Sequence, residues 1–230
     1  MTLSVLLFLG ILFSLISAAS EALFLKRRAQ GLHRISLFYK MLASAGFCGV
    51  GLLTASQSNT PWAWAMLLGL LLGFLGDVLL GLRKLCKKDQ RLFFLLGMIA
   101  FSFGHFCYVH AINHLEAFSP LPVLSFFALL MLSSEAFLYV HKVKDPAVHI
   151  CGLLYVAIEA FMSAMALILA YSHTSLGSLL LVTGSFSFFA SDNLLCAYSF
   201  GNLKNPEIDH ALHVTYLSAQ LFIAWSILFL

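Results

Sequence analysis

The sequence predicts an all-α protein: a polytopic transmembrane helical bundle of eight spans. Three observations predict it. Hydrophobic residues make up 61% of the chain and charged residues only 10%, against roughly 25% charged in an ordinary soluble domain. The apolar residues fall in blocks of about 20, the length that crosses about 30 Å of hydrocarbon. Basic residues collect in alternate connections between the blocks, as they do when loops are sorted to opposite sides of a bilayer. No polar stretch exceeds a short loop, so residues 1–230 read as a single transmembrane domain.

The spans lie at about 2–22, 35–55, 62–82, 92–112, 120–140, 148–171, 175–199 and 209–229. The first ends in "SAAS", which resembles a cleavage site, but it has no basic leader and "KRR" follows it at 26–28. It reads as a retained helix with a stop-transfer flank. Lys40 stands early in the second span, and the third holds Asp77 in "GFLGDVLLGL", with Gly69 and Gly73 at one-turn intervals before it. The fourth carries His105 and Tyr108, the fifth Glu135 near its end, and the sixth Glu159 near its centre. Ser191, Asp192 and Asn193 lie in the seventh, and Tyr216 and Gln220 in the eighth. The prolines (61, 120, 122, 146, 206) sit at span starts or in loops, so no span is expected to be broken.

Every Lys and Arg except Lys40 falls in alternate connections: 26, 27, 28 and 34; 83, 84, 87, 88 and 91; 142 and 144; 204. The intervening connections "SQSNTP", "NHLEAFSP" and "SHTSLGS" contain none. Basic loops stay in the cytoplasm, which places both termini outside. The net charge of +3 then reflects topology and attraction to lipid, and no nucleic-acid partner is expected. The five cysteines form no CxxC pair. Four lie within spans or at their edges and read as small buried hydrophobes. Only Cys86 is expected to be exposed, on the reducing side, and no disulfide framework is expected. Short loops and the lack of targeting elements suggest a bacterial cytoplasmic membrane.

Aligning Asp77 with Asp192 gives an offset of 115, half the chain. The same offset carries Gly76 to Ser191, Gly104 to Ala219 and His105 to Gln220. Two readings are open: coincidence in a leucine-rich chain, or a parallel repeat of four helices plus four, with halves 1–115 and 116–230. In the second, the two aspartates occupy equivalent places and approach one another at the bundle centre.

An ionised side chain at a helix centre costs roughly 2.5–3.5 kcal/mol on insertion scales. Lys40, Asp77, Glu135, Glu159 and Asp192 therefore need reasons, as do His105, Tyr216 and Gln220. Glu135 is near a helix end, where snorkelling or a pair with Lys142 suffices. Glu159 is read either as a neutral acid hydrogen-bonded within the bundle or as part of a site. Lys40 is either an anchor or the partner of Asp77. A lone His105 is commonly a satisfied core histidine. No HExxH or similar spacing marks a metal site, and neither a metal nor a cofactor is expected. Small residues around Asp77 and Asp192 permit close helix packing or leave room for a substrate chain. Packing alone requires no acid.

At these residues the sequence resembles the lysoplasmalogenase family of multi-span membrane enzymes, also called YhhN-like. The resemblance covers nearly the whole chain and rests on Lys40, "GDVLL" at 76–80, "FGHFCY" at 103–108, "SDNLL" at 191–195 and "YLSAQLFI" at 216–223. The family's lysine is commonly followed by proline; here Met41 follows. The resemblance implies hydrolysis of the sn-1 vinyl-ether bond of lysoplasmalogens in the bilayer. The products are a fatty aldehyde and glycerophosphoethanolamine or glycerophosphocholine.

Vinyl ethers resist bases and nucleophiles, but protonation of the outer alkene carbon gives an oxygen-stabilised cation that water captures. Such a site needs a proton donor and a carboxylate, as glycoside hydrolysis does. Asp77 and Asp192 are the expected catalytic pair, since two acids in one low-dielectric cavity do not both ionise. With Lys40 beside it, Asp77 is the carboxylate and Asp192 the acid; the exchanged assignment is the alternative. His105, Tyr108, Glu159, Ser191, Asn193, Tyr216 and Gln220 are expected to bind or orient substrate and water, and Arg83 and Lys84 to attract the phosphate head group. The rival readings are a proton-coupled transporter or lipid carrier, a metal-dependent intramembrane lipid hydrolase and a non-catalytic scaffold.

Overall fold

A computed structural model describes residues 2–143 and 146–230. Lys144, one of the basic residues counted above, lies outside them, as do the side chains of Lys87 and Cys151. Among the described residues the chain forms eight long helices and no strand: α1 (Leu3–Ala29), α2 (His33–Ser58), α3 (Pro61–Leu85), α4 (Gln90–Asn113), α5 (Pro120–Val140), α6 (Pro146–Ser172), α7 (Leu176–Phe200) and α8 (Pro206–Phe229). Each is long and apolar enough to cross a membrane, which makes this an integral membrane protein. Large apolar side chains such as Phe8, Leu15, Leu121 and Leu132 are mostly exposed, a surface that lipid covers.

The helix ends follow local chemistry. Pro61, Pro120 and Pro206 stand in the first turns of α3, α5 and α8, where a missing N–H costs nothing. The Thr60 hydroxyl accepts from the Ala63 N–H at 3.4 Å. Ser175 and Ser178 form a reciprocal box at the start of α7. Asn205 Oδ1 accepts from the Glu207 N–H at 2.9 Å. Gly31 turns the chain between α1 and α2 with φ +73°, a conformation glycine adopts without steric cost. The first helix is longer than the 2–22 block: Lys26, Arg27 and Arg28 form its last turn. There, positive charge meets the negative end of the helix dipole. Hydropathy measures the lipid-facing length, not the hydrogen-bonded length.

The helices gather into two compact units, Met1–Ala111 and Ile112–Leu230. In the first, small residues bring neighbours close. The Ser17 hydroxyl on α1 donates to the Ala43 carbonyl on α2 at 2.5 Å. A side chain at Gly46 would meet the Phe13 carbonyl at 2.9 Å. Between α3 and α4, Gly69 lies under the Tyr108 ring and Gly76 under Phe101. Of the two readings of the small residues on α3, close packing is the one seen at Gly69 and Gly76, each of which receives an aromatic ring.

In the second unit α7 is the central element, in contact with α5, α6 and α8. A Cβ at Gly184 would lie 3.0 Å from the Ala219 carbonyl, so α7 and α8 pack almost backbone to backbone. The fifth and sixth helices join through the edge-to-face pair Phe127 and Phe161, 6.2 Å apart, and through His149 Nε2 to Glu135 Oε2 at 3.1 Å. The partner of Glu135 is thus His149, not the expected Lys142: one turn into α6, the imidazole reaches the carboxylate across the helix pair.

Candidate functional site

Each unit buries a cluster built on its aspartate. In the first, α1, α2 and α3 contribute Glu21, Lys40, Ser44 and Asp77, whose charged members are all buried. Lys40 Nζ donates to Glu21 Oε1 at 3.1 Å and to Oε2 at 3.3 Å. It stands 3.7 Å from Asp77 Oδ1 and over the Phe24 ring at 5.4 Å. Ser44, one turn along α2 from Lys40, donates to Asp77 Oδ2 at 2.6 Å. Lys40 therefore lies beside Asp77, but its tighter partner is Glu21. Buried ions are tolerated when each meets an opposite charge and further donors or acceptors, and this cluster meets both conditions.

His105 and Tyr108 are one turn apart on α4, buried, with rings edge to face at 6.0 Å. Tyr108 presses its ring on Gly69 of α3. Its ring therefore packs α4 against α3. Arg83 lies over the Phe94 ring at 4.9 Å, half-buried, while Lys84 beside it is exposed; both occupy the last turn of α3.

In the second unit three consecutive residues of α7 reach three different helices. The Ser191 hydroxyl donates to the Leu212 carbonyl of α8 at 2.8 Å. The Tyr155 hydroxyl of α6 donates to Asp192 Oδ2. Ser134 of α5 donates to Asn193 Oδ1 at 2.6 Å, and Asn193 Nδ2 donates back along α7 to the Phe189 carbonyl at 2.8 Å. At about 100° per helical residue such directions follow directly. Ser191 and Asn193 thus hold the helix that carries Asp192.

One turn beyond Tyr155 on α6 stands Glu159, fully buried. A carboxylate oxygen of Glu159 lies within 4.8 Å of one of Asp192. Neither oxygen of Glu159 has a hydrogen-bond partner among the described residues, nor has the Ser163 hydroxyl one turn further on. Among the described residues Glu159 thus faces a second acid rather than a direct hydrogen-bond donor. Tyr216 and Gln220 on α8 complete the group, with Gln220 Nε2 donating to the Tyr216 hydroxyl at 3.1 Å. The Tyr216 ring meets Phe188 edge to face at 5.3 Å.

Two residues escaped the sequence reading. Glu21 falls at the edge of the 2–22 apolar block, yet it lies two turns inside α1. Tyr155 had no mark among the seven tyrosines, though a signal existed: the offset of 115 that joins Asp77 to Asp192 also joins Lys40 to Tyr155 and Ser44 to Glu159. At both places the α2 or α6 residue touches the aspartate.

No significant match is found among curated proteins or among solved structures. A family model, the YhhN family, matches residues 35–227. That segment includes every polar residue of both clusters except Glu21. The chain belongs to the YhhN family, the family of lysoplasmalogenases, which is associated with hydrolase activity.

Proposed function

We propose that this protein hydrolyses the sn-1 vinyl-ether bond of lysoplasmalogens, releasing a fatty aldehyde and a glycerophospho-ethanolamine or -choline. The observation that carries the reading is family membership over residues 35–227; the buried acids are its chemical support. Asp77, beside Lys40, serves as the carboxylate that steadies developing positive charge. Asp192, partly exposed and held by Tyr155, serves as the donor that protonates the outer alkene carbon. Carboxyl groups carry the same two duties where glycosidic bonds break through oxocarbenium-like states. Gln220, Tyr216 and His105 orient water or glycerol oxygens, and Arg83 and Lys84 draw the phosphate of the head group. The basic ends of α1 and α3 face the cytoplasm in this reading, with both termini outside, and the host is a bacterial cytoplasmic membrane.

The test measures aldehyde release from a lysoplasmalogen beside fatty-acid release from the matching ester lysolipid. Purified wild type is expected to release aldehyde preferentially. Asp77→Asn and Asp192→Asn, with helical content unchanged, are each expected to lose about 100-fold or more of that turnover. Near-normal turnover in either folded variant rejects the paired-acid mechanism, and preferential fatty-acid release rejects the substrate.

A further inference from the structure

We propose that Glu159 and Asp192 hold one proton between them, stored on Glu159, and that this is the proton delivered to the alkene. The inference rests on the hydrolase reading and extends it by a third acid. It starts from an orphan: both Glu159 oxygens are buried without a hydrogen-bond partner among the described residues. A bare carboxylate in that position carries an uncompensated charge, whereas a protonated carboxyl does not. Its nearest acid is Asp192, within 4.8 Å, beyond a direct hydrogen bond but within the span of one bridging water. Two like charges that close repel strongly in a medium of low dielectric. No Lys or Arg occurs anywhere in α5, α6, α7 or α8, so those helices offer no fixed cation to relieve that repulsion.

The division of labour follows from hydrogen bonding and access. The Tyr155 hydroxyl donates to Asp192, which favours the charge there, and leaves the proton to Glu159. Asp192 is the more accessible acid and Glu159 is fully buried. Glu159 therefore acts through Asp192 as a positioning residue and proton store. In turnover Glu159 passes its proton through Asp192 to the outer alkene carbon, forming a C–H bond from the alkene electron pair. Positive charge remains on the carbon bearing oxygen. Water adds to that carbon and gives its proton back to the acid pair. The hemiacetal C–O bond then breaks, its electron pair staying on the glycerol oxygen, which takes the hemiacetal hydroxyl proton. Aldehyde and alcohol leave, and the pair is again singly protonated.

Infrared spectroscopy reads the stored proton without any substrate. Wild type at neutral pH is expected to show a carboxylic-acid C=O band, Glu159→Gln to lose it, and Glu159→Asp to keep it at a shifted frequency. Turnover of lysoplasmalogen is expected to fall about 100-fold or more in Glu159→Gln and to be largely retained in Glu159→Asp. A band unmoved by Glu159→Asp overturns the proposal even if Glu159→Gln does not fold, and so does full turnover in Glu159→Gln. Absence of aldehyde release by wild type defeats the hydrolase reading and delivery to the alkene with it, while the band separately decides whether Glu159 stores the proton.

Discussion

In the first unit Glu21 and Asp77 share the ammonium of Lys40. In the second, Glu159 and Asp192 face one another at no more than 4.8 Å, with a phenol donating to one of them. The positions correspond under the offset of 115: Lys40 stands where Tyr155 does, Ser44 where Glu159 does. One arrangement meets two acids with a tethered cation; the proposed state of the other meets them with a proton. An ammonium steadies neighbouring charge but stays on its side chain, while a proton can be handed over. In the proposed mechanism the first unit holds charge and the second gives a proton.

The largest expected break in that contrast is Lys40→Met. Removing one member of a buried ionic group leaves its partners uncompensated and costs about 3–5 kcal/mol. Denaturant unfolding in detergent should show a loss of that order, partly restored by adding Glu21→Gln. An unchanged midpoint would mean that Lys40 does not hold the first cluster together.

Next in size is Tyr155→Phe. A hydrogen bond to a charged group contributes about 1.5–3 kcal/mol, or about ten- to a hundredfold in rate at 1.36 kcal/mol per tenfold. Aldehyde release should fall by that factor, with a smaller change in unfolding midpoint than in Lys40→Met. If midpoint and turnover fall together as far as in Lys40→Met, the two clusters do the same work.

The smallest effect is expected from Ser191→Ala, which removes one bond to a backbone carbonyl. About 0.5–1.5 kcal/mol of stability should be lost, with Asp192 otherwise intact. A larger loss of turnover than of stability would give Ser191 a part in the chemistry.

Much of the fold was legible because a bilayer imposes one length scale and one solvent, and the apolar blocks found all eight helices to within a few residues at most ends. The exception was instructive: α1 continues to Ala29 because its last turn carries the basic residues, which hydropathy counts as loop. Lys40 was anticipated beside Asp77 since so few charges compete. Glu21 was not, because an acid near "KRR" reads as a surface residue until the helix is known to continue. Tyr155 was hidden by its chemistry, for a phenol in an apolar helix is unremarkable until an acid is found opposite it. Ser191 and Asn193 were named as site residues, and their observed bonds go to helices.

The three-way attachment of residues 191–193 fixes the rotational setting of α7. Adding or deleting one residue earlier in that helix would turn the trio by about 100°, aiming each polar group at the wrong neighbour. Substitutions along its outward face leave the attachment alone. Length variation among related chains should therefore be confined to the connections, and a gap drawn through α7 in an alignment should be treated as an alignment error.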